Sequence, residues 1–584
     1  MKKVLNVLLL AALFIPIALV FAACNSNQQL RKQNGGGEQE TGIGQPQEIK
    51  VDGWVYVLNQ DKNSYSVSVG DNVADDASLT VPSTFQDKPV TKIRNGGFVT
   101  NAKIKSITVP AGITHIGQGA FMGCVDTVVY FLGNNVPQEN RSFVGYTGWG
   151  DSVISVKAVI VPDAALSAYR AAWGYVIHNV ETGDVSLKHI YAQSSIIEND
   201  FIVENNILKC YIGRESEIVV PASVQHIDNE VFFNNQELTN ITLPQGLKTI
   251  GAKAFEFLFN LKSINLPEGL ESIGWAAFAN TGLVSVVLPN SLKELGVYAF
   301  GACRELTGII IPGDITRIEA SAFWYCAKLA AVTLPSGLKV IDENAFGMTA
   351  ISSITLPDSL EEIADHAFYG TAITNIIIPA GCNKLSPMAF VGSPLETISV
   401  AGNNSTYRSE QNCIIRIADD TLITGIDTSV IPAGIKHIGK GAFYGRTGLK
   451  SVVIPQGVIT VQESAFQHCT ALENVIMFEG VTSIERWVFS NTHALHTIII
   501  PASVTAISES AFYHGSLSDF NSNLSKIYYG GADIAQWNNI EIGFSGIGRF
   551  DRLHICFYSA TKPATAGHFW HFDTDGVTPI EWSA

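Results

Sequence analysis

Apolar positions in this chain return on a fixed beat. One unit reads Leu261-Lys262-Ser263-Ile264-Asn265-Leu266-Pro267-Glu268-Gly269-Leu270-Glu271-Ser272-Ile273-Gly274-Trp275-Ala276-Ala277-Phe278. Ile264 and Leu266 alternate with polar neighbours, which predicts a short strand with one buried edge. Pro267 has no N–H and ends the hydrogen-bond ladder to the next unit. Gly269 permits a turn, Leu270 and Ile273 bring apolar side chains back inward, Ala277 allows close approach, and Phe278 fills the unit. The proline recurs at 221, 244, 267, 289, 312, 335, 357 and 379, in steps of 23, 23, 22, 23, 23, 22 and 22. It returns at 432 and 455, gives way to Phe478, and reappears at 501, with each step 23.

A period of this length marks a leucine-rich-repeat solenoid. The pattern predicts a right-handed curved solenoid of short parallel strands and short helical or 3-10 turns, flanked by strand-rich terminal segments. No unit can fold alone, because it buries its apolar set only against the next one. The Ala-Phe or Val-Phe pair recurs at Phe121, Phe232, Phe255, Phe278, Phe300, Phe323, Phe346, Phe368, Phe390, Phe443, Phe466, Phe489 and Phe512. These predict thirteen coils, with a degenerate fourteenth near Phe98.

The N-terminus reads as an address. Lys2 and Lys3 precede an apolar stretch from Val7 to Val20 and then Phe21-Ala22-Ala23-Cys24. A positive start, an apolar centre and small residues before a cut site make up a secretory signal. An uncleaved anchor is the alternative, since the apolar run from Val4 to Ala23 approaches spanning length. The tetrapeptide resembles a bacterial lipobox, with Phe21 where that pattern favours Leu; this implies cleavage after Ala23 and a lipid on Cys24. Residues 24–49 carry no aromatic side chain and too little apolar area to offset chain entropy, so a flexible tether is expected there.

The repeat pattern I-x-x-I-x-L-P-x-x-[LV]-x-x-I-x-x-x-A-F-x-x-C is similar to the BspA-like, or Treponema-type, leucine-rich repeats of bacterial surface proteins. The resemblance covers most of residues 90–515. Residues 53–93 resemble that family's opening segment, 158–176 its block-ending unit, 395–431 its strand-rich insertion, and 527–582 its C-terminal end. The organisation expected is a signal peptide at 1–23, a lipid-anchored tether at 24–49 and an N-terminal strand-rich cap at 50–98. A short first repeat block follows at 99–180, the main block at 181–394 and the strand-rich insertion at 395–431. A second block at 432–526 and a C-terminal strand-rich segment at 527–584 complete the chain. The resemblance implies display at the bacterial cell surface or outer membrane, and adhesion to host proteins or glycans.

Composition narrows the partners. Lys plus Arg is 37 against 53 Asp plus Glu, a net charge of −16. Nucleic acid is thereby disfavoured, because binding phosphate needs an excess of cations. Nine Cys in 584 residues are too sparse for a disulfide scaffold. Cys124, Cys303, Cys326 and Cys469 each lie three residues after a repeat Phe, which predicts equivalent buried packing positions; Cys303 and Cys326, on consecutive coils, could also approach disulfide distance. No C-x-x-C supports a zinc site. His568, His571, Asp573 and Asp575 fall within eight residues, but the spacing fails an EF-hand loop, and a polar turn between terminal strands is expected. No hydrolase, P-loop or dinucleotide motif occurs, so neither an enzyme nor a cofactor is expected.

The remaining candidate is the concave sheet. Strand parity turns two residues per coil outward: Ser106/Thr108, Asn240/Thr242, Ser263/Asn265, Ser285/Val287, Gly308/Ile310, Ala331/Thr333, Ser353/Thr355, Asn375/Ile377, Ser451/Val453, Asn474/Ile476 and Thr497/Ile499. None of these 22 positions is charged. β-Propensity accounts for the Thr, Val and Ile column but poorly for the Ser, Asn, Gly and Ala column. The pattern predicts a neutral, shallow surface of small hydroxyl and amide groups beside an apolar strip, suited to a glycan or an extended polypeptide. Trp324, Tyr369, Tyr444 and Tyr513, each one residue after the Phe, are expected to cover the outer turn. An architectural spacer without a ligand and a polysaccharide-acting enzyme are the alternatives to an adhesin.

Overall fold

The computed structural model describes residues 47–582 apart from 71–72, 100–103, 123, 125–126, 140–143, 147–151, 155, 174–189, 514–522, 525, 544–553 and 565–566. The expected signal peptide, Cys24 and nearly all of the tether lie outside the described residues. The tether's last residues begin a strand instead, Glu48–Val51. The chain divides into two compact units, Met1–Ile202 and Val203–Ala584.

In the first unit, Glu48–Val51, Trp54–Leu58 and Tyr65–Val69 pair antiparallel. Lys88–Ile93 and His115–Ile116 then continue the sheet in parallel. Tyr56 stacks on Phe85 at 3.8 Å and gives this end an aromatic seal. A second parallel ladder runs Ser78–Thr80, Ser106–Val109, Val128–Phe131, Ala158–Val161, Ile190–Ala192. Its last strands pack with the helix Leu166–Trp173, which buries Tyr169 and Trp173. The Tyr169 hydroxyl donates to the Gly133 carbonyl at 3.0 Å, and burial pushes it up to about 12.

The second unit is a stack of coils joined by three hydrogen-bonded seams. The first seam carries the predicted strands, such as Ser263–Asn265 paired in parallel with Ser285–Val287, and Asn375–Ile378 with Thr397–Val400. Within each strand the central apolar residue is buried between exposed neighbours, as at Ile264 and Val286. Residues 351–356 keep this alternation without forming a strand, so Ser353 and Thr355 sit at a break in the ladder. The second seam is made of two-residue strands: Thr249–Ile250, Ser272–Ile273, Glu294–Leu295, and again Arg317–Ile318 through Lys384–Leu385.

The third seam replaces the expected helical or 3-10 turns. Among the described residues no helix lies between 201 and 533. The Ala-Phe segment instead crosses from coil to coil by backbone bonds: Phe255 N–H to Ala277 O (2.8 Å), Phe278 to Ala299 (2.8 Å), Phe300 to Ala322 (2.9 Å). A helix satisfies its backbone internally; these groups point along the stack, and left-handed residues aim them there. In most coils the position two before Phe has positive φ (Lys253 55°, Ala276 52°, Tyr298 58°, Ser464 61°, Trp487 60°), and so does the one two after (Phe257 64°, Asn280 56°, Ala302 55°, Tyr325 59°). Each such non-glycine residue costs about 1–2 kcal/mol, which the inter-coil bonds must offset.

The phenylalanines form the spine. Rings of Phe255 and Phe278 stack at 4.9 Å and 1°, Phe278 and Phe300 at 5.2 Å and 6°, Phe300 and Phe323 at 5.8 Å and 3°. The series continues to Phe390 and resumes from Phe443 to Phe512. Phe98 stacks on Phe121 in the same way within the first unit.

Between the two series lies the insertion. Tyr407–Glu410, Cys413–Arg416 and Thr421–Thr424 form an antiparallel meander whose last strand pairs in parallel with His437–Ile438. The meander is tied back by Asn404, whose amide donates to the Pro379 and Cys382 carbonyls, both at 2.8 Å. Across the widened step the buried Arg446 guanidinium reaches the Phe390 carbonyl at 3.4 Å.

Candidate functional site

The outward face of the first seam is where the predicted residues gather. Asn240, Thr242, Ser263, Asn265, Ser285, Val287, Ile310, Thr333, Ser353, Thr355, Asn375, Ile377, Ser451 and Val453 are exposed. Parallel register lines them up: Ser263 lies beside Ser285 and Asn265 beside Val287, while Ser451 lies beside Asn474 and Val453 beside Ile476. The result is one column of small polar groups and one of Val, Ile, Thr and Asn. The apolar members stand clear of any neighbour: Val287 is 79% exposed, Ile310 70% and Ile377 62%. The ladder also adds rungs absent from the predicted set, Glu217/Val219 at its start and Thr397/Ser399. The uncharged run is therefore bounded by a carboxylate at Glu217.

Charge collects elsewhere on the coil. Along the second seam Lys293 and Lys248 flank Glu271 at 2.9 and 3.6 Å, Lys339 meets Glu361 at 2.7 Å, and Lys384 meets Glu362 at 2.5 Å. The Lys293 ammonium holds the Glu271 carboxyl below its ordinary range. These pairs link one coil to the next. Being exposed, they are screened by solvent and add little to stability. A further pair, Lys328 with Glu305 at 2.7 Å, lies three residues ahead of the first seam's strands, so the neutrality belongs to the seam's outward positions themselves.

The predicted face does not stay open to its end. Asn474, Ile476 and Thr497 are half-buried, and Ile499 is buried (2% exposed) rather than displayed. The cause is the C-terminal segment. The ladder continues through Lys526–Tyr529 and His554–Tyr558 to a hairpin, Phe569–Phe572 with Pro579–Glu581. Trp570 from that hairpin packs with Ile499 and Cys556, beside Ile476, Tyr528, Tyr558 and Phe572. Its indole N–H donates to the Tyr529 carbonyl at 2.9 Å, and Glu581 pairs with Lys526. Phe572 lies 5.9 Å from Phe478, the residue that replaces the repeat's proline. That replacement was visible in the sequence, and its partner was not.

The hairpin also accounts for the His and Asp cluster. Asp575 accepts the Val577 and Thr578 N–H groups at 2.9 and 2.8 Å and so fixes the turn, while His571 lies against Trp582 at 3.9 Å. Among the described residues no group of His, Cys, Asp and Glu is arranged to hold a metal ion.

The cysteines share a position but are not mere space-fillers. The thiols of Cys303, Cys326 and Cys469 approach the carbonyls of Phe278, Phe300 and Phe443 of the preceding coil at 3.0–3.1 Å. In other coils a hydroxyl stands there and donates to its own coil's Phe: Thr281, Thr349 and Thr371 at 2.8–3.1 Å. Ser393 donates to Phe368, and Arg446 fills the same role at the insertion. In most coils the position holds a buried donor, with Leu258 filling it in the Phe255 coil, a signal present in the Thr and Ser residues three after Phe. Cys303 and Cys326 are both free thiols.

The aromatic residues after Phe are half-buried. Trp324 lies so close over Gly347 that a Cβ there would come within 2.4 Å of the indole, and its ring stacks with Tyr369 at 6.1 Å. Tyr444 meets His468 at 5.4 Å.

A family model described as the BspA type leucine-rich-repeat region, in six copies, matches residues 76–146, 210–330, 317–414 and 423–530. No curated protein matches the chain. Among solved structures, a leucine-rich-repeat protein from Bacteroides ovatus is similar at 19% identity and a TM-score of 0.39, over 87% of this chain and 99% of that one. A leucine-rich cell-surface protein from Faecalibacterium prausnitzii is similar at 21% identity and 0.31, over 85% and 98%. The pneumococcal vaccine antigen PcpA is similar at 14% identity and 0.31, over 89% and 95%.

Proposed function

Since the chain belongs to the BspA-type leucine-rich-repeat family, we propose that it is a bacterial cell-surface binding protein that presents the first seam's outward face to a protein or glycan ligand. Cys24, carrying lipid, is its attachment to the membrane, and the segment from 24 to about 47 is its spacer. The observation that supports this reading is the separation of charge from the seam. A structural spacer has no need to keep the outward positions from 240 to 399 uncharged when ion pairs link the coils on either side of them. A binding surface does, because every unpaired charge covered by a neutral ligand costs desolvation.

The test replaces Ser285, Ser353 and Asn375 together by Arg in the full chain. Binding is then read on an array of host matrix proteins and neutral glycans. Loss of the wild type's signals with unchanged thermal melting supports the proposal; full retention overturns it and leaves the spacer reading. Attachment is read separately, from the intact mass of protein extracted from membranes, which should begin at a lipid-modified Cys24.

A further inference from the structure

We infer that the exposed aliphatic column at Val287, Ile310 and Ile377 is a docking site for an extended, uncharged polypeptide segment that lays aromatic side chains on it. This rests on the reading of that face as a binding surface and names its occupant.

The chain itself supplies the argument. In the last coils the same register column runs Ile476, Ile499, Tyr528 and Cys556, and its cover is the chain's own hairpin, with Trp570 clustered with Ile499 and Cys556 and with Ile476 and Phe572 packed against that cluster. The indole N–H is satisfied by a backbone carbonyl, so the ring is buried beside Ile499 without an orphaned donor, with Tyr528, Tyr558 and Phe572 edge-on around it. The main block repeats the floor and lacks the cover. Val287, Ile310 and Ile377 occupy the column and stand 62–79% exposed. Isolated exposed aliphatics are ordinary, but these three hold the same position in the repeat as Ile476 and Ile499, each as the last outward residue of its coil's short strand before the buried residue that precedes proline.

The chemistry favours a polypeptide over a sugar. Sugars are held by stacking on aromatic rings, and the outward positions from 217 to 399 include none. The adjoining column offers Ser263, Ser285, Ser353 and Asn375, hydroxyls and an amide that can meet backbone N–H and C=O groups. Spacing agrees as well. Ile310 and Ile377 are three coils apart, roughly 14 Å at ~4.8 Å per coil, and four residues of extended chain span about 13 Å.

The probe is a fluorescent peptide of residues 567–572, which holds Trp570 and Phe572 and no carboxylate, titrated at pH 8 into the full chain and read by anisotropy. The expected result is saturable binding, weakened at least tenfold when the peptide's Trp570 and Phe572 positions are Ser. The same loss is expected when the protein carries V287K/I310K/I377K, or the milder V287S/I310S/I377S, with melting unchanged. Absence of binding overturns the inference. So does binding that both triple variants leave intact, which would mean exchange with the resident hairpin. Cellohexaose binding that the triple variants abolish, without peptide binding, overturns it in favour of a glycan. Array binding that remains sensitive to Ser285, Ser353 and Asn375 while the peptide fails leaves the proposed function standing and removes only this inference.

Discussion

The phenylalanine spine makes a quantitative claim about where stability resides. Phe278 is wholly buried and sandwiched between Phe255 at 4.9 Å and Phe300 at 5.2 Å, both nearly parallel to it. Phe390 ends its series and, among the described residues, stacks on Phe368 alone, at 5.3 Å and 4°. Replacing Phe278 by Leu keeps most of the buried area but removes two ring–ring contacts of about 0.5–1.5 kcal/mol each, a loss of about 1–3 kcal/mol. Phe278→Ala adds an unfilled cavity and should cost about 3–5 kcal/mol. Phe390→Leu loses one contact, so its cost should be about half that of Phe278→Leu. Because coils interact with nearest neighbours, the damage should stay local. Long arrays also depart from all-or-none unfolding, so hydrogen exchange is a better assay than a single melting curve. In Phe278→Ala, amides of residues 249–318 should exchange faster, while those of 460–507 keep their protection. Equal costs for Phe278→Leu and Phe390→Leu, or uniform loss of protection through the second unit, would refute the idea that stacking carries the coil-to-coil energy.

Other expectations follow from burial. The thiols of Cys124, Cys413 and Cys469 are pushed up to about 12 by burial, and those of Cys382 and Cys556 to about 11, so in a Cys24→Ser protein Ellman's reagent at pH 8 should find these five unreactive until denaturant is added. Trp570→Ala should uncover Ile499 and make Cys556 reactive in the native state while Cys469 stays silent; continued silence at Cys556 would mean that another group provides the cover. Burial lowers the His366 and His468 imidazoles below 6.5, with Asp365 opposing the shift at His366. The unfolded chain therefore takes up protons first, and their contribution, complete above pH 6.5, is lost as pH falls below it. The melting temperature of H366N/H468N, in which Asn accepts the positive φ at 366 and 468, should fall less between pH 7 and 5.5 than that of the wild type.

Much of this architecture was readable from one unit of sequence, for identifiable reasons. Proline, the Ile-x-Leu alternation and the Ala-Phe pair each serve a separate physical need, and together they placed the strands and the spine. The second seam escaped notice because Ser272–Ile273 and its equivalents are two residues long and give alternation no room to show. The third seam escaped because its left-handed positions are filled by Lys, Tyr, Ser and Trp as well as Gly, so the backbone demand is not written in residue type. At the site, strand parity found the outward columns, including Ser353 and Thr355 where the ladder is interrupted. It misjudged Ile499, whose cover comes from a hairpin 70 residues further along that belongs to no repeat. A local period carries no information about such a partner.

The alternation of 22- and 23-residue coils has a consequence for how such a protein can change. The shorter coils lack one residue after the donor position, and there Thr281, Thr349 and Thr371 turn their hydroxyls to their own Phe carbonyl, as Thr492 does in a longer coil, whereas Cys303 and Cys326 reach back to the preceding one. A carbonyl oxygen has two lone pairs and accepts either arrangement. Every junction is thus tolerant of a single-residue slip yet chemically interchangeable with the next. Unequal crossing-over between such segments would add or delete whole modules without rewriting their neighbours, so the reach of the molecule can evolve faster than its fold.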